Sequence, residues 1–358
     1  MTGFEYGNAR LRYMKSRLLS RSELEGLTES DSLQGLIAAL TRTAYRKSVE
    51  TALTRWLGME CISEALHAEL ISLLGKIRSF YSGTPGEMVA IVLRAYDIHN
   101  LKTILRGIST NAPAAEILAS LLPVGAIDHR LWAELANLQD VRAVIDVIAS
   151  QGLPLAQPLL RLRAGRTAFS LFEMELALDQ WHIHEALRFA KTKLRGKNRL
   201  TAALTLDSDL MNLMTALRFS HSPAERRLLR ERTASDDLSQ LFVGPGTLSF
   251  KLLAYAASQN SLEAALTVFG HSPYEAALQA GLEAHARSGR LTGLEKSLRR
   301  YRLQWMINSI AKDPLGIGLV LGCIALKVNE VNNLRWVAQG IHLGLKPDAI
   351  REEVEFVE

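Results

Sequence analysis

An aspartate, a histidine and an asparagine stand within four residues of one another in DIHNLKTILR, which begins at Asp97 and ends at Arg106. A carboxylate, an imidazole and an amide so close together could serve acid–base catalysis, hold a metal, or bracket another stretch of backbone. The choice turns on whether the stretch stands alone. It does not: DLMNLMTALR starts at Asp209 and EVNNLRWVAQ at Glu330, each with an acid, then Asn three residues on and Leu four residues on.

The recurring positions are Asp97, Asn100, Leu101 and Arg106; Asp209, Asn212, Leu213 and Arg218; Glu330, Asn333 and Leu334, with Gln339 where the third arginine would fall. His99 is replaced by Met211 and Asn332 in the other two copies, so it is no part of the recurring pattern. Apolar residues hold the same offsets throughout, as Ile98, Ile104 and Leu105; Leu210, Ala216 and Leu217; Val331, Val337 and Ala338. On a helix these fall on one core-facing stripe, with the acid and the asparagine beside it. A catalytic constellation is normally built once, whereas a repeated one repeats a packing solution. The asparagine is expected to bond an exposed carbonyl of a neighbouring helix, and the acid to hold an arginine from its own or the next helix.

The elements that must position these residues recur with them. GAID at Gly125 and GTLS at Gly246 each lead to a helix N-cap candidate, Asp128 or Ser249, and each glycine lies 87 residues before the next asparagine of the pattern. The rest of the chain places apolar residues three and four apart, as in LQGLIAALTRTAYRKSVETAL, and nowhere alternates for long. The expectation is an all-α protein of three similar helical units, residues 1–112, 113–232 and 233–358, parted by turns such as NAP, SHSP and VGPG.

Other chemistries find little to stand on. GxxxxGK[ST], GxSxG and HExxH do not occur. GIGLVLG follows Pro314 with no strand before it and is off the dinucleotide spacing by one, so it reads as a close-packing helix surface. His182 and His184 are two apart and would point to different sides of a helix. No catalytic residue, metal site or cofactor is therefore expected.

The 358 residues carry 42 Lys and Arg against 37 Asp and Glu, a net charge of +5 that permits an acidic partner without naming one. Two distant cysteines, Cys61 and Cys323, fit a reducing compartment and exclude a disulfide framework. The N-terminus lacks the apolar core of a signal peptide, and the longest apolar run, residues 315 to 326, is shorter than the ~20 residues that span a bilayer, so a buried helix is expected there. Candidate partner-facing residues are Arg226, Arg227, Arg230 and Arg232, and Arg299 and Arg300, with a further basic cluster at 191–199. Aromatics are 6% of the chain and do not interleave with these charges, which speaks against nucleic acid.

FEYGNARLRYMKSRLL near the start, AYDIHNLKTILRG at the first copy, and LKVNEVNNLRWVAQGIHLGLKPDAIREEV at the end resemble the C subunit of V/A-type rotary ATPases, whose eukaryotic counterpart is the d subunit. The resemblance covers essentially the whole chain. It is strongest at Tyr6, Asn8, Arg10 and Arg12, at 96 to 106, and at Glu330, Asn333, Leu334 and Arg335, and is thin from 114 to 200. Gln339 and the glycine-rich run depart from it. It implies three helical domains around a pseudo-threefold axis forming a funnel. It also implies a non-catalytic rotor protein, cytoplasmic and peripheral to the membrane, joining the central shaft, made of the coiled-coil D and the F subunits, to the proteolipid ring. The alternative is a generic helical scaffold, for which repeats near 115 residues are long.

Overall fold

The computed structural model describes residues 3–165, 170–194, 198–222 and 238–357. Among them every regular element is helical, as the periodicity requires. The first helices are α1 (Glu5–Lys15), α2 (Arg21–Thr28), α3 (Leu33–Leu40), α4 (Arg46–Leu53), α5 (Gly58–Ser79) and α6 (Gly83–Ser109). Next come α7 (Ala114–Ala119), α8 (His129–Ala136), α9 (Val141–Ser150), α10 (Ala156–Gly165), α11 (Leu171–Lys193) and α12 (Arg199–His221). A 3-10 turn at Leu238–Leu241 leads to α13 (Phe250–Ser258), α14 (Leu262–Thr267), α15 (Glu275–Ser288), α16 (Thr292–Lys312), α17 (Ile317–His342) and α18 (Pro347–Glu353).

Side-chain caps fix where many of these helices start. The Asp128 carboxylate accepts from Leu131 N–H at α8, and the Ser249 hydroxyl accepts from Leu252 N–H at α13. Ser20 and Ser170 go further and form reciprocal capping boxes with Glu23 and Glu173. Each such cap contributes about 1 kcal/mol, enough to set a boundary although packing supplies most of the stability.

Contacts sort the chain into two compact units, one of residues 1–93, 122–126 and 303–358, the other of 94–121 and 127–302. In the first unit α17 is the central helix, with every residue from Ile317 to Ala325 buried. It is long and apolar enough to cross a membrane, but its apolar stretch is covered by the protein itself. Its glycines lie where it meets α16: a Cβ on Gly318 would fall 2.4 Å from the Ser309 carbonyl oxygen, and one on Gly322 would fall 2.3 Å from Ile310 Cγ1. Cys61 and Cys323 are both buried and free. The second unit has a core in which Leu101, Ile104 and Leu105 of α6 pack with Trp132, Val144, Ile145, Ile148 and Leu178.

Two helix ends share one construction. After α6 the chain turns through Asn111 at φ 54°, and Ala112 N–H reaches back to the Gly107 carbonyl at 2.8 Å. After α17 it turns through Gly344 at φ 68°, and Leu345 N–H reaches the Gly340 carbonyl at 2.9 Å. In both, an isoleucine ten residues past the glycine seals the turn: a Cβ on Gly107 would fall 2.5 Å from Ile117, and one on Gly340 would fall 2.5 Å from Ile350. These are left-handed helix caps closed by an apolar contact.

Candidate functional site

The recurring polar residues lie at the centre of the two units. Asp97, Asn100, Asp209 and Asn212 are at most 1% exposed, Asn333 is 1% exposed and Glu330 4%. Burial of so many polar groups is tolerated only where they are hydrogen-bonded.

The asparagines act as brackets for non-helical backbone. Asn212 on α12 donates to the Gly244 carbonyl at 3.0 Å and accepts from Val243 N–H at 2.8 Å. Asn333 on α17 donates to the carbonyl of Glu355 and accepts from its N–H, both at 3.0 Å. An amide offers one donor side and one acceptor side, so it pairs with a peptide group as a strand would. The receiving segment is thus not the neighbouring helix that the sequence suggests, but the extended chain beyond a helix end.

Two of the three acids, Asp209 and Glu330, also take backbone, and for these the sequence expectation needs correction. Asp209 accepts from Thr247 N–H at 2.9 Å, Thr247 Oγ1 at 2.5 Å, Leu248 N–H at 3.0 Å and Tyr274 Oη at 2.7 Å. Glu330 accepts from Leu19 N–H at 2.5 Å, Tyr45 Oη at 2.6 Å and the Lys327 ammonium at 2.9 Å. Leu248 and Leu19 each immediately precede a serine N-cap, Ser249 of α13 and Ser20 of α2. Each acid therefore fixes the chain where it enters a helix. Neither binds an arginine among the described residues. Arg106 instead grips Glu175 of α11 through two bonds of 2.5 and 2.6 Å, and Arg218 meets Glu295 of α16 at 2.6 Å. Their guanidiniums are more than half exposed, so each pair contributes only about 0.2–1 kcal/mol. Asp209 and Glu330, each surrounded by at least three donors, outweigh them.

Sequence reasoning missed Tyr45 and Tyr274. Both stand at the start of a helix, α4 or α15, thirteen residues after the serine that caps α3 or α14. Burial, then the nearby Glu330 charge, pushes the Tyr45 hydroxyl well above its ordinary pKa of 10, and burial followed by the Asp209 bond does the same to Tyr274. Burial raises Tyr96 to about 12. With folded values above the unfolded one, this stabilisation is complete below pH 10 and is lost as pH climbs beyond it. Alkaline titration should show these tyrosinates appearing only with unfolding. Tyr274→Phe should flatten the dependence of stability on pH above 10, which denaturant melts across that range will measure.

The remaining candidates are scattered. His182 accepts from Arg94 Nε at 3.2 Å, and burial followed by that positive charge drives its pKa down to about 3, leaving a neutral ring engaged in packing. His184 and His99 are exposed. Among the described residues no group of three or more His, Cys, Asp or Glu is placed to hold a metal ion. Arg299 and Arg300 lie exposed on α16. Arg226, Arg227, Arg230 and Arg232 lie outside the described residues, as does part of the 191–199 cluster.

Whole-length similarity accompanies this architecture. The family model for the ATP synthase (C/AC39) subunit matches residues 7–353. The A-type ATP synthase C subunit of Pyrococcus abyssi is 26% identical over 99% of this chain and 90% of its own length. Its counterpart in Methanosarcina acetivorans is 27% identical over 99% and 93%. The V-type ATP synthase C subunit of Deinococcus radiodurans is 26% identical over 98% and 91%. A match that begins at Gly7 and runs to Glu353 takes in all three copies of the acid–asparagine pattern, and the chain belongs to the ATP synthase (C/AC39) subunit family.

Proposed function

We propose that this chain is a non-catalytic rotor component of a V/A-type ATPase, joining the rotating central shaft to the membrane proteolipid ring. The observation that carries the reading is the family match over 7–353, together with a polar core spent on holding backbone. Its relatives are named as ATP synthase subunits, which supports a role inside a multi-subunit assembly. The partners in this reading are a shaft formed by the coiled-coil D and the F subunits, and the proteolipid ring, and the site of action is the cytoplasmic face of that ring.

The architecture we propose is three repeats, 1–112, 113–232 and 233–358, closed around a pseudo-threefold axis into a funnel. Two contacts support closure: Asp209 ties α12 to the lead-in of α13, and Glu330 ties α17 back to Leu19, 311 residues earlier in the chain. Within the unit that holds both terminal segments, close packing of this kind resists deformation under load. Arg299 and Arg300, with Arg226, Arg227, Arg230 and Arg232, are proposed to face acidic partner surfaces.

Affinity purification from native membranes tests the function. The tagged chain is expected to bring down a coiled-coil shaft protein and the proteolipid ring in fixed stoichiometric ratio. Recovery of an assembled head-and-ring complex that lacks this chain would overturn the reading.

A further inference from the structure

Helix α1 buries one face and displays an unusual one. Gly7, Asn8 and Leu11 are buried. A Cβ on Gly7 would lie 2.2 Å from the Tyr81 ring, Asn8 accepts from Tyr81 Oη at 2.7 Å and donates to the Gly316 carbonyl at 3.1 Å, and Arg12 donates to the Pro314 carbonyl at 2.6 Å. The helix is thus seated rigidly. On the opposite side, at helical spacing, stand Tyr6, Arg10, Tyr13 and, two residues past the helix end, Arg17. Both tyrosines are 66% exposed. Arg10 donates to Tyr6 Oη at 2.8 Å, and its guanidinium lies 4.6 Å from the Phe80 ring centroid and 5.5 Å from that of Tyr6. None of Arg10, Lys15 and Arg17 forms an ion pair with a described residue.

We infer that this tyrosine–arginine stripe is a docking surface for an acidic α-helical segment of a protein partner. Charge complementarity carries the choice: the stripe holds two unneutralised guanidiniums and no acid, and the one carboxylate of α1, Glu5, lies off it. Arg10 is held in place by two rings, so its fork of donors is presented at a fixed position, which suits bidentate capture of a carboxylate. Arg10 and Arg17 are seven residues apart, the first on α1 and the second in the turn that closes it, so they offer two cations roughly two helical turns apart to carboxylates seven apart on a facing helix. The tyrosines between them supply rigid apolar contact, and tyrosine with arginine is the pairing enriched where partners bind most tightly. A bilayer fits less well. It has no fixed charge spacing to match, and it is bound by Leu, Phe or Trp inserted among mobile cations, which this face lacks. The inference does not rest on the rotor reading.

The test uses the intact chain and a fluorescent helical peptide with glutamates at every seventh position of an alanine–glutamine background. A shuffled isomer of equal charge, and vesicles of an anionic phospholipid, are the comparisons. The wild type should bind the spaced peptide about fivefold more tightly than the shuffled one, and Arg10→Glu/Arg17→Glu should weaken that binding at least about tenfold. The control Arg287→Glu/Arg290→Glu, a reversal of two exposed arginines at and just past the end of α15, should stay within about twofold of wild type. Tyr13→Ala, a change at an exposed side chain, gives a second reading should the double reversal disturb folding, and should also weaken the spaced peptide selectively. Equal losses in the two double variants, indifference to spacing, or α1-dependent binding of vesicles without the peptide would each overturn the proposal.

Discussion

Glu330→Ala is expected to destabilise the unit formed by the N- and C-terminal segments by about 3 kcal/mol. The carboxylate is the shared acceptor for Leu19 N–H, Tyr45 Oη and the Lys327 ammonium, and Lys327 is only 2% exposed. Removing the acid leaves an ammonium out of water, with Glu69 at 3.8 Å as its remaining carboxylate and the Tyr45 hydroxyl as its remaining bond. That residual company keeps the cost at the lower end of the ~3–5 kcal/mol typical for breaking a buried pair. Lys327→Met/Glu330→Leu should recover much of the loss, because two apolar groups remove both charges at once. Lys327→Met, Glu330→Leu and the double change, compared by denaturant unfolding, form a cycle whose coupling should exceed about 1 kcal/mol. Additive losses would mean that Glu330 and Lys327 act independently.

The fold class was legible because a helical stripe is a local pattern. Ile98, Leu101, Ile104 and Leu105 are spaced as a core-facing stripe and are all buried. The polar positions were legible as a recurrence, since nothing but a shared environment keeps an asparagine three residues after an acid at Asn100, Asn212 and Asn333. What they bind was not, because the partners are backbone groups, and every residue but proline offers the same N–H and C=O. Arginine looked like the natural partner for a carboxylate. The structure instead gives Asp209 and Glu330 a tyrosine each and an amide N–H, while the exposed Arg106 and Arg218 reach half-buried glutamates.

Part of the missing information was present in the chain in another form. Tyr45 and Tyr274 each follow a Ser-Leu helix start by thirteen residues, and the turns before them match, with Arg46 N–H bonded to the Thr43 carbonyl and Glu275 N–H to that of Ser272. The turn before α10 has the same bond, from Ala156 N–H to the Leu153 carbonyl, but Leu155 occupies the tyrosine's place and lies fifteen residues after its helix cap, Asp140. A two-residue length difference and a lost hydroxyl are enough to hide the likeness through 114–200. Lys327 was invisible for a different reason. A lysine in an otherwise apolar helix reads as a surface position unless its buried acid is already known.

Asp209→Ala should cost the second unit about 3–5 kcal/mol, in the range set by removal of a fully buried charged acceptor. Four donors converge on it, two of them the N–H groups of Thr247 and Leu248 at a chain segment that has no helical or strand partner of its own. Asp209→Asn is a sharper probe, since it keeps the volume yet turns an NH2 group toward donors, and it should still cost about 2 kcal/mol or more. Gly246→Ala should act through the same carboxylate. Its new Cβ would lie 1.8 Å from Asp209 Oδ1, so the acid or the 244–249 segment must move. Arg218→Ala, which removes an exposed pair from the same helix, should stay within about 1 kcal/mol of wild type. This ordering separates a structural acid from a partner-binding one. If Asp209 served a partner, Asp209→Asn would leave the isolated chain's unfolding midpoint where it was and weaken only assembly. If it holds the lead-in to α13, the loss appears in the isolated chain, and Gly246→Ala reproduces it without removing the carboxylate.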